Sequence, residues 1–328
     1  MSATPDPVVS VLLDPDRAGD SLIEDVRRGL GSHPRTLSPK WLYDDRGSEL
    51  FDQITKLPDY YPFAAEHEIL SDHADEIAAA SGASTLIELG SGTSEKSRVL
   101  LDAFTATGRL QRFTPVDVSE ATLRQATETL VERYPGLRVE AVVGDFTLHL
   151  AQLPQGDRRT IAFLGSTIGN FYREERGAFL GALSDVLVAG DSLLLGVDLV
   201  KSADRLVAAY DDSDGVTEDF VRNVLRVLNR ELHGEIDADG FSYVPFWDPQ
   251  MERMDLRLRA DMPQRIRLPV AGLDFTLASG EEVRVEISTK FRISGICGEL
   301  EEVGLSVRQV WTDRAGDFAV LLAMKPTG

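Results

Sequence analysis

The chain has 328 residues, 43% of them hydrophobic and 27% charged, proportions of a globular protein with apolar surface for one large core or two joined ones. Its 54 acidic against 34 basic side chains give a net charge of −20, a field that opposes every phosphate contact a nucleic acid would need. No apolar run reaches the length of a membrane span, and the N-terminus MSATPDPVVS has neither a basic n-region nor a continuous apolar h-region. The expectation is a cytoplasmic protein that binds neither nucleic acid nor membrane. The single cysteine, Cys297, can form no internal disulfide and reads as a small buried apolar residue. His67 and His73 in HEILSDH are six apart, whereas the zinc motif H-E-x-x-H needs i and i+4, so no metal site is expected.

Apart from the first ten or so residues, which read as flexible, the chain shows no linker, repeat or low-complexity tract. Asp20 can cap a helix whose face is marked by Leu22, Ile23, Val26 and Leu30 and which Gly31 can close. An aromatic-rich stretch follows, WLYDDRGSELFDQITKLPDYYP, with a short helix predicted from Ser48 to Leu57, ended by Pro58. Residues 64–80 read as a helix. From Thr85 strands and helices alternate: TLIELG, a helix over 94–104, RFTPVDVS, a helix over 120–133, RVEAVVGDF, TIAFLGSTIGNF with its loop, a helix over 173–188, and DSLLLGVDLV. Helical crossovers between apolar strands predict a doubly wound, mostly parallel α/β sheet. After Lys201 the rhythm changes to a helix carrying Phe220, Val224, Leu225 and Leu228, then to alternating runs FSYVPFW, MERMDLRLRA, QRIRLPV and EEVRVEIS that suit antiparallel pairing. A helix near 293–303 and two strands, LSVRQVWTD and DFAVLLAMK, close the chain and can return to the edge of the parallel sheet. The expected division is a nucleoside-binding domain over 61–200, completed by 287–328, and an α+β capping domain over 12–60 with 201–286.

The glycine turn after the first strand of this series, ELGSGTSEKS, opens like the dinucleotide fingerprint G-x-G-x-x-G. Gly90 permits the tight exit from the strand, and Gly92 lets backbone amides approach a ligand. Glu95 stands where the third glycine belongs, and an anionic side chain at a helix start opposes a pyrophosphate. A nucleoside without phosphate fits better. S-adenosylmethionine (SAM) offers a ribose diol for a carboxylate such as Asp117, and an adenine amino group for Asp145 with Phe146 to cover the ring. Glu88 precedes the loop, where an acid can orient the turn. Any one of these is an ordinary turn residue; together they stand in order at successive strand ends, where open α/β sheets bind ligands.

The segments PKWLYDDRGSELFDQITKLPDYYP, LIELGSGTSEKSR, FLGSTIGNF, LLLGVDLVK and EISTKFR together resemble the histidine-specific, SAM-dependent N-alpha-methyltransferase family of ergothioneine biosynthesis, from about Ser21 to Met324. The resemblance implies a Rossmann-like class I methyltransferase domain with a second substrate domain, and conversion of L-histidine to its trimethylated betaine, hercynine. It also implies that Gly90, Lys96, Asp117, Asp145, Phe146 and Ser166, with Gly165 beside it, surround SAM. Tyr60 and Asn170 would hold the substrate amino group with Tyr43 close by, Tyr210 would bind the carboxylate, and Glu286 and Ser288 would grip the imidazole. Two residues depart from the family's pattern: Leu256, where a methionine is expected near the imidazole, and Phe63, where a smaller residue is expected.

From periodicity alone Glu286 and Ser288 carry no such role. Glu282, Arg284, Glu286, Ser288 and Lys290 alternate with Val283, Val285, Ile287 and Phe291, as in any strand with a solvent face. Tyr60 can be packing beside a turn, Asn170 a loop residue, Tyr210 a loop anchor and Lys96 a solvated charge. The expectation is thus a monomeric enzyme acting on histidine and its mono- and dimethylated forms. The alternatives are an N-methyltransferase for another amino acid, such as tryptophan or tyrosine, and a non-catalytic SAM-binding protein.

Overall fold

The structure is a computed structural model, and it describes residues 8–13, 15–92 and 94–326, with the side chains of 15–18 and 95 left aside. The expectation attached to Glu95 therefore lies outside the described residues. In chain order β1 (Val8–Val11) is followed by α1 (Pro15–Gly31), β2 (Arg35–Thr36) and α2 (Asp45–Ile54). Then come α3 (Tyr61–Ser81), β3 (Thr85–Leu89), α4 (Glu95–Ala106), β4 (Arg112–Asp117), α5 (Glu120–Arg133), β5 (Arg138–Val143), α6 (Phe146–His149), β6 (Arg159–Phe163), α7 (Arg173–Val186) and β7 (Ser192–Asp198). The next stretch contains α8 (Ala203–Ala208), α9 (Val216–Glu231), β8 (Phe241–Asp248), β9 (Arg253–Ala260), β10 (Gln264–Leu268), β11 (Leu273–Leu277) and β12 (Glu282–Thr289), before α10 (Ile293–Glu302), β13 (Ser306–Thr312) and β14 (Phe318–Met324). Among the described residues no helix is long and apolar enough to cross a membrane.

Two compact units divide the chain. The first takes the described residues within Met1–Leu13, Pro62–Val200 and Phe291–Gly328; the second takes those within Asp14–Tyr61 and Lys201–Lys290. The first is built on an eight-stranded sheet in the order β1-β5-β4-β3-β6-β7-β14-β13. Strands β1, β5, β4, β3, β6 and β7 run parallel; β14 is antiparallel to β7, and β13, antiparallel to β14, returns to the direction of the parallel set. This is the doubly wound, mostly parallel sheet expected, and its inner strands read as continuous apolar runs because both faces are covered: every residue of β3, β6 and β7 is buried. The strand order reverses between β3 and β6. Loops following those two strands therefore border the crevice where ligands of open α/β sheets bind.

The second unit packs α1, α2 and α9 on one face of a four-stranded sheet, β2-β12-β9-β8, with β10 and β11 as a separate hairpin. Leu22, Val26 and Leu30 of α1, Leu50 and Ile54 of α2, and Phe220, Val224 and Leu228 of α9 meet Met254, Leu256 and Leu258 of β9 in one core. The helices form as amphipathic elements whose apolar positions recur three and four residues apart. α2 is started by Asp44, whose carboxylate accepts from the Gly47 amide at 2.8 Å.

Several expectations are corrected. Val8–Val11 is not flexible: its β-branched run adds a parallel strand to the open edge of β5, with Leu12 N–H donating to Val143 O. α1 begins at Pro15 rather than after Asp20, since proline suits the first helical turn, where its missing N–H is not needed. β11 was not foreseen; LDFTL becomes a strand by pairing with β10 through a short turn. Residues 287–289 continue β12 and belong to the second unit, while 12–13 follow β1 into the first. Cys297 is half-buried rather than buried, and burial together with Glu301 pushes its thiol up.

One glycine in the first unit is sterically required. Gly196, in the middle of β7, faces the carboxylate of Glu66 on α3, and a Cβ there would lie 2.1 Å from Glu66 Oε1. Gly196→Ala should therefore lower stability by about 1 to 3 kcal/mol. Thermal unfolding of the variant measures it, and an unshifted Tm would show that Glu66 can move aside.

Candidate active site

The carboxyl ends of β3, β4, β5 and β6 gather the polar groups of the first unit. At the end of β3 the chain turns at Gly90 and Gly92, with φ of 69° and 50°, values that favour glycine, and Ser94 is also left-handed at φ 57°. The Gly90 and Ser91 amides donate to Val116 O at 2.8 and 3.1 Å, tying the loop to β4. Gly92 N–H donates to Asp117 Oδ2 at 2.9 Å, and Ser119 N–H to Asp117 Oδ1 at 3.0 Å. The Gly92 amide is thus used inside the protein. What the glycine brings near the turn is the Asp117 carboxylate.

At the end of β5, Asp145 caps α6, its Oδ1 accepting from the Thr147 amide at 2.8 Å and the Thr147 hydroxyl at 2.6 Å. Phe146 stands edge-on to Phe163 and Phe179, with centroids 5.2 and 5.9 Å away, and one ring edge lies 3.8 Å from where a Gly90 Cβ would be. β5 stops at Val143 and Asp145 and Phe146 open α6, because the aspartate side chain satisfies an amide that a longer strand would have paired. After β6, Gly165 and Ser166 are successive left-handed residues at φ 75° and 57°. A serine held there costs about 1 to 3 kcal/mol, a strain that concentrates at functional loops. Its hydroxyl accepts from the Asp198 amide at 2.9 Å, which fixes the loop to β7. Asn170 ends the turn Thr167–Asn170 that follows.

Two buried carboxylates stand behind these loops. Glu66, fully buried on α3, accepts from the Gly165 amide at 2.7 Å and pairs through its other oxygen with Lys96 of α4. Lys96 also lies over the Phe63 ring, 5.1 Å from its centroid, so the departure at Phe63 touches Lys96. Glu66 was absent from the sequence reading. Its signal was a carboxylate on the apolar stripe Glu66, Ile69, Leu70, Ala74 and Ile77, the face of α3 that packs in the core. Glu88, the fourth residue of β3, accepts from the Ser97 hydroxyl. Burial pushes its carboxyl up to about 7; the Ser97 bond and the Lys96 charge act the other way, while Glu66 and Asp117 push it further up.

The second unit holds the other cluster, and a β-bulge makes it. β12 pairs with β9 through Val283↔Leu258 and Arg284↔Arg257, then slips, so that Glu286 faces Leu256 and Ser288 faces Met254. Val285 is the extra residue. Because Leu258, Leu256 and Met254 share one face of β9, the slip moves Glu286 and Ser288 onto the face of Val283. The regular alternation read from the sequence is thereby broken. Glu282 and Arg284 stay on the opposite face, paired with Arg257, Arg259 and Asp255. Glu286 and Ser288 are buried to 9% and 5% exposure. Leu256 lies directly across from Glu286.

Around this face stand tyrosines. Tyr210, following α8, donates its hydroxyl to Ser288 Oγ at 2.9 Å, and Tyr243 of β8 donates to the Tyr210 carbonyl at 2.8 Å. Burial, with the Glu286 charge next, holds the Tyr243 phenol well above its ordinary range, so it remains a donor. The Tyr60 ring meets Tyr210 edge-on at 6.1 Å, and Phe51 joins Tyr60 at 6.3 Å to Tyr43 at 5.5 Å. Tyr43, Tyr60, Tyr210, Leu256, Glu286 and Ser288 therefore belong to the second unit, and Glu88, Gly90, Gly92, Lys96, Asp117, Asp145, Phe146, Gly165, Ser166 and Asn170 to the first.

A family model described as "Histidine-specific methyltransferase, SAM-dependent" matches residues 22–325. The chain belongs to that family. It is 50% identical over 310 residues to the histidine N-alpha-methyltransferase of Mycolicibacterium smegmatis, covering 94% of this chain and 97% of that one. It is 52% identical over 306 residues to the Mycobacterium tuberculosis protein of the same name, covering 93% and 95%. A Schizosaccharomyces pombe relative named ergothioneine biosynthesis protein 1 is 33% identical over 223 residues, which are 64% of this chain and 29% of the fungal one.

The Glu88 environment sets a pH dependence of stability in this methyltransferase. Unfolded, the carboxyl ionises near its ordinary 4.5; folded, it does so near 7. Between those values the unfolded chain gives up the proton first, so stability present below the lower value is lost as pH rises through the upper, by about 3 kcal/mol in all. Glu88→Gln should therefore gain Tm over the unsubstituted protein progressively from pH 5 to pH 8. A Tm difference independent of pH would remove Glu88 from this role.

Proposed function

We propose that the chain transfers three methyl groups in succession from SAM to the α-amino group of L-histidine and releases hercynine, the first step of ergothioneine biosynthesis. The observation that carries the substrate is the bulge in β12, which puts an acidic acceptor and a hydroxyl two residues apart on a buried face of a histidine-specific family member. On this reading the protein is a cytoplasmic monomer whose partners are small molecules.

The donor set of the first unit fits SAM. Asp117 is an acceptor beside the glycine turn, suited to a ribose diol; Asp145 and Phe146 suit an adenine amino group and ring; Lys96 and the Gly165–Ser166 loop suit an amino-acid end. SAM supplies an electrophilic methyl group on a sulfonium. Everything else falls to the chain's own residues. Glu286 and Ser288, opposite Leu256, are assigned to the two nitrogens of the imidazole, with Tyr210, whose hydroxyl donates to Ser288 Oγ, holding Ser288 in place. The Tyr60 hydroxyl and the Asn170 amide are assigned to the amine, with Tyr43 behind Tyr60.

The amine must be neutral to attack, so its proton has to leave before each transfer, to a tyrosine hydroxyl or to water. Orientation of the amine is the larger contribution, and a well-aligned pair recovers about 7 to 11 kcal/mol of barrier. Every transfer removes one N–H donor and the last leaves a fixed positive charge. Tyrosine rings tolerate that charge through cation–π attraction, whereas a pocket depending on all the N–H bonds would stall before the betaine.

Incubation of the purified protein with SAM and a panel of amino acids, followed by mass spectrometry, should give trimethylated histidine as the dominant product, with tryptophan and tyrosine unchanged. Glu286→Ala should weaken histidine binding by about 1 to 3 kcal/mol, the cost of leaving a buried ring N–H without an acceptor. Unaltered histidine kinetics in that variant would take Glu286 out of the substrate site.

A further inference from the structure

Lys290 follows β12 in the second unit and is buried to 2% exposure. Its Nζ donates to Tyr210 Oη at 2.7 Å and to Ser288 Oγ at 2.8 Å, and Tyr210 Oη donates to Ser288 Oγ at 2.9 Å. These three atoms close a triangle in which the protons have fixed directions. An ammonium has no lone pair, so both hydroxyl oxygens accept from it. The Tyr210 hydrogen is used on Ser288. Ser288 Oγ then accepts twice, which occupies both of its lone pairs. It retains one hydrogen to give and nothing with which to receive.

We propose that Lys290 is a positioning residue that makes Ser288 a donor-only group, and that this polarity, set against the acceptor Glu286 on the same face, selects a neutral ring carrying one N–H and one bare nitrogen. The inference rests on the reading above in which Glu286 and Ser288 meet the substrate ring. Among the described residues, the charged and titratable side chains that act on the pair or on Tyr243 beside it include Glu286, Tyr210, Lys290, Asp211 and Asp212. A neutral imidazole satisfies both members of the pair: its N–H reaches Glu286 and its bare nitrogen accepts from Ser288. An imidazolium presents two N–H groups, sets donor against donor at Ser288, and brings a second cation toward Lys290. A benzene or indole ring leaves the Ser288 hydrogen unmatched. Specificity for histidine then comes from opposed hydrogen-bond polarity as well as from shape.

The two pyrrolylalanine isomers each keep one ring N–H and replace the other nitrogen by C–H, so comparison with histidine isolates the bond given by Ser288. Dissociation constants measured by calorimetry with S-adenosylhomocysteine present should favour histidine over the better isomer by about 10-fold or more, the loss expected when a buried donor goes unpaired. Lys290→Met keeps the side-chain length and drops every donor; it should shrink that ratio to about threefold or less while leaving S-adenosylhomocysteine affinity near its original value. An unchanged ratio in Lys290→Met, in a protein whose ratio does collapse on Ser288→Ala, overturns the proposal. A ratio unaffected by Ser288→Ala overturns instead the underlying reading that Ser288 meets the ring. A second measurement needs no variant: nitrogen-15 shifts of ring-labelled histidine bound at about pH 6, where much of the free imidazole is protonated. They should report one protonated and one bare nitrogen; two protonated nitrogens overturn the proposal.

Discussion

A carboxylate taken wholly out of water has to be matched by donors, and in the first unit Glu66 is such a carboxylate at the ligand-side loops. Its two oxygens are answered by the Gly165 amide from the β6 loop and by Lys96 from the helix after the glycine turn. Neither of those loops has a regular conformation of its own: each turns through left-handed residues, two of which are serines. The buried charge fixes α3, α4 and the β6 loop to one point, and the strain at Ser94 and Ser166 is sustained because their surroundings are so tied. Gly196 is the corollary, a residue without a side chain where the carboxylate must pass.

The acidic groups nearest the turn are divided by how they are buried. Glu88 lies behind the loop with a serine hydroxyl as partner, and its carboxyl ionises close to neutrality. Asp117 and Asp145 are half-exposed at strand ends and hold the backbone of the segments that follow them. Carboxylates therefore serve two purposes in one small region. Depth decides which, because desolvation acts on the charged form and weakens toward the surface.

In the second unit the decisive feature is one extra residue in β12. A strand has a side-chain period of two, so inserting Val285 moves everything beyond it to the other face. Glu282 and Arg284 keep to the charged face with Arg257 and Arg259, and Glu286, Ser288 and Lys290 become buried. Buried polar groups in such numbers require a closed network, and the Tyr210–Ser288–Lys290 triangle supplies one.

Much of this protein was legible in its sequence. Alternating apolar strands and helices from Thr85 to Val200 dictate a doubly wound sheet, because strands covered on both faces have to be apolar throughout. The returning hairpin and the ordered acids at successive strand ends followed from the same pattern, and the resemblance of the aromatic segment and GSTIGN named the family. Tertiary structure alone decided the rest. Periodicity assigned Glu286 and Ser288 to a solvent face, since a bulge leaves no mark in a string of alternating residues and exists only as a register between two strands. It passed over Glu66 and Lys290 for a related reason: a lone charge in a helix or at a strand end reads as solvated, and its burial depends on partners up to 99 residues away in the chain. Local pattern determines which elements form; pairing across long separations determines which of their polar side chains are taken out of water.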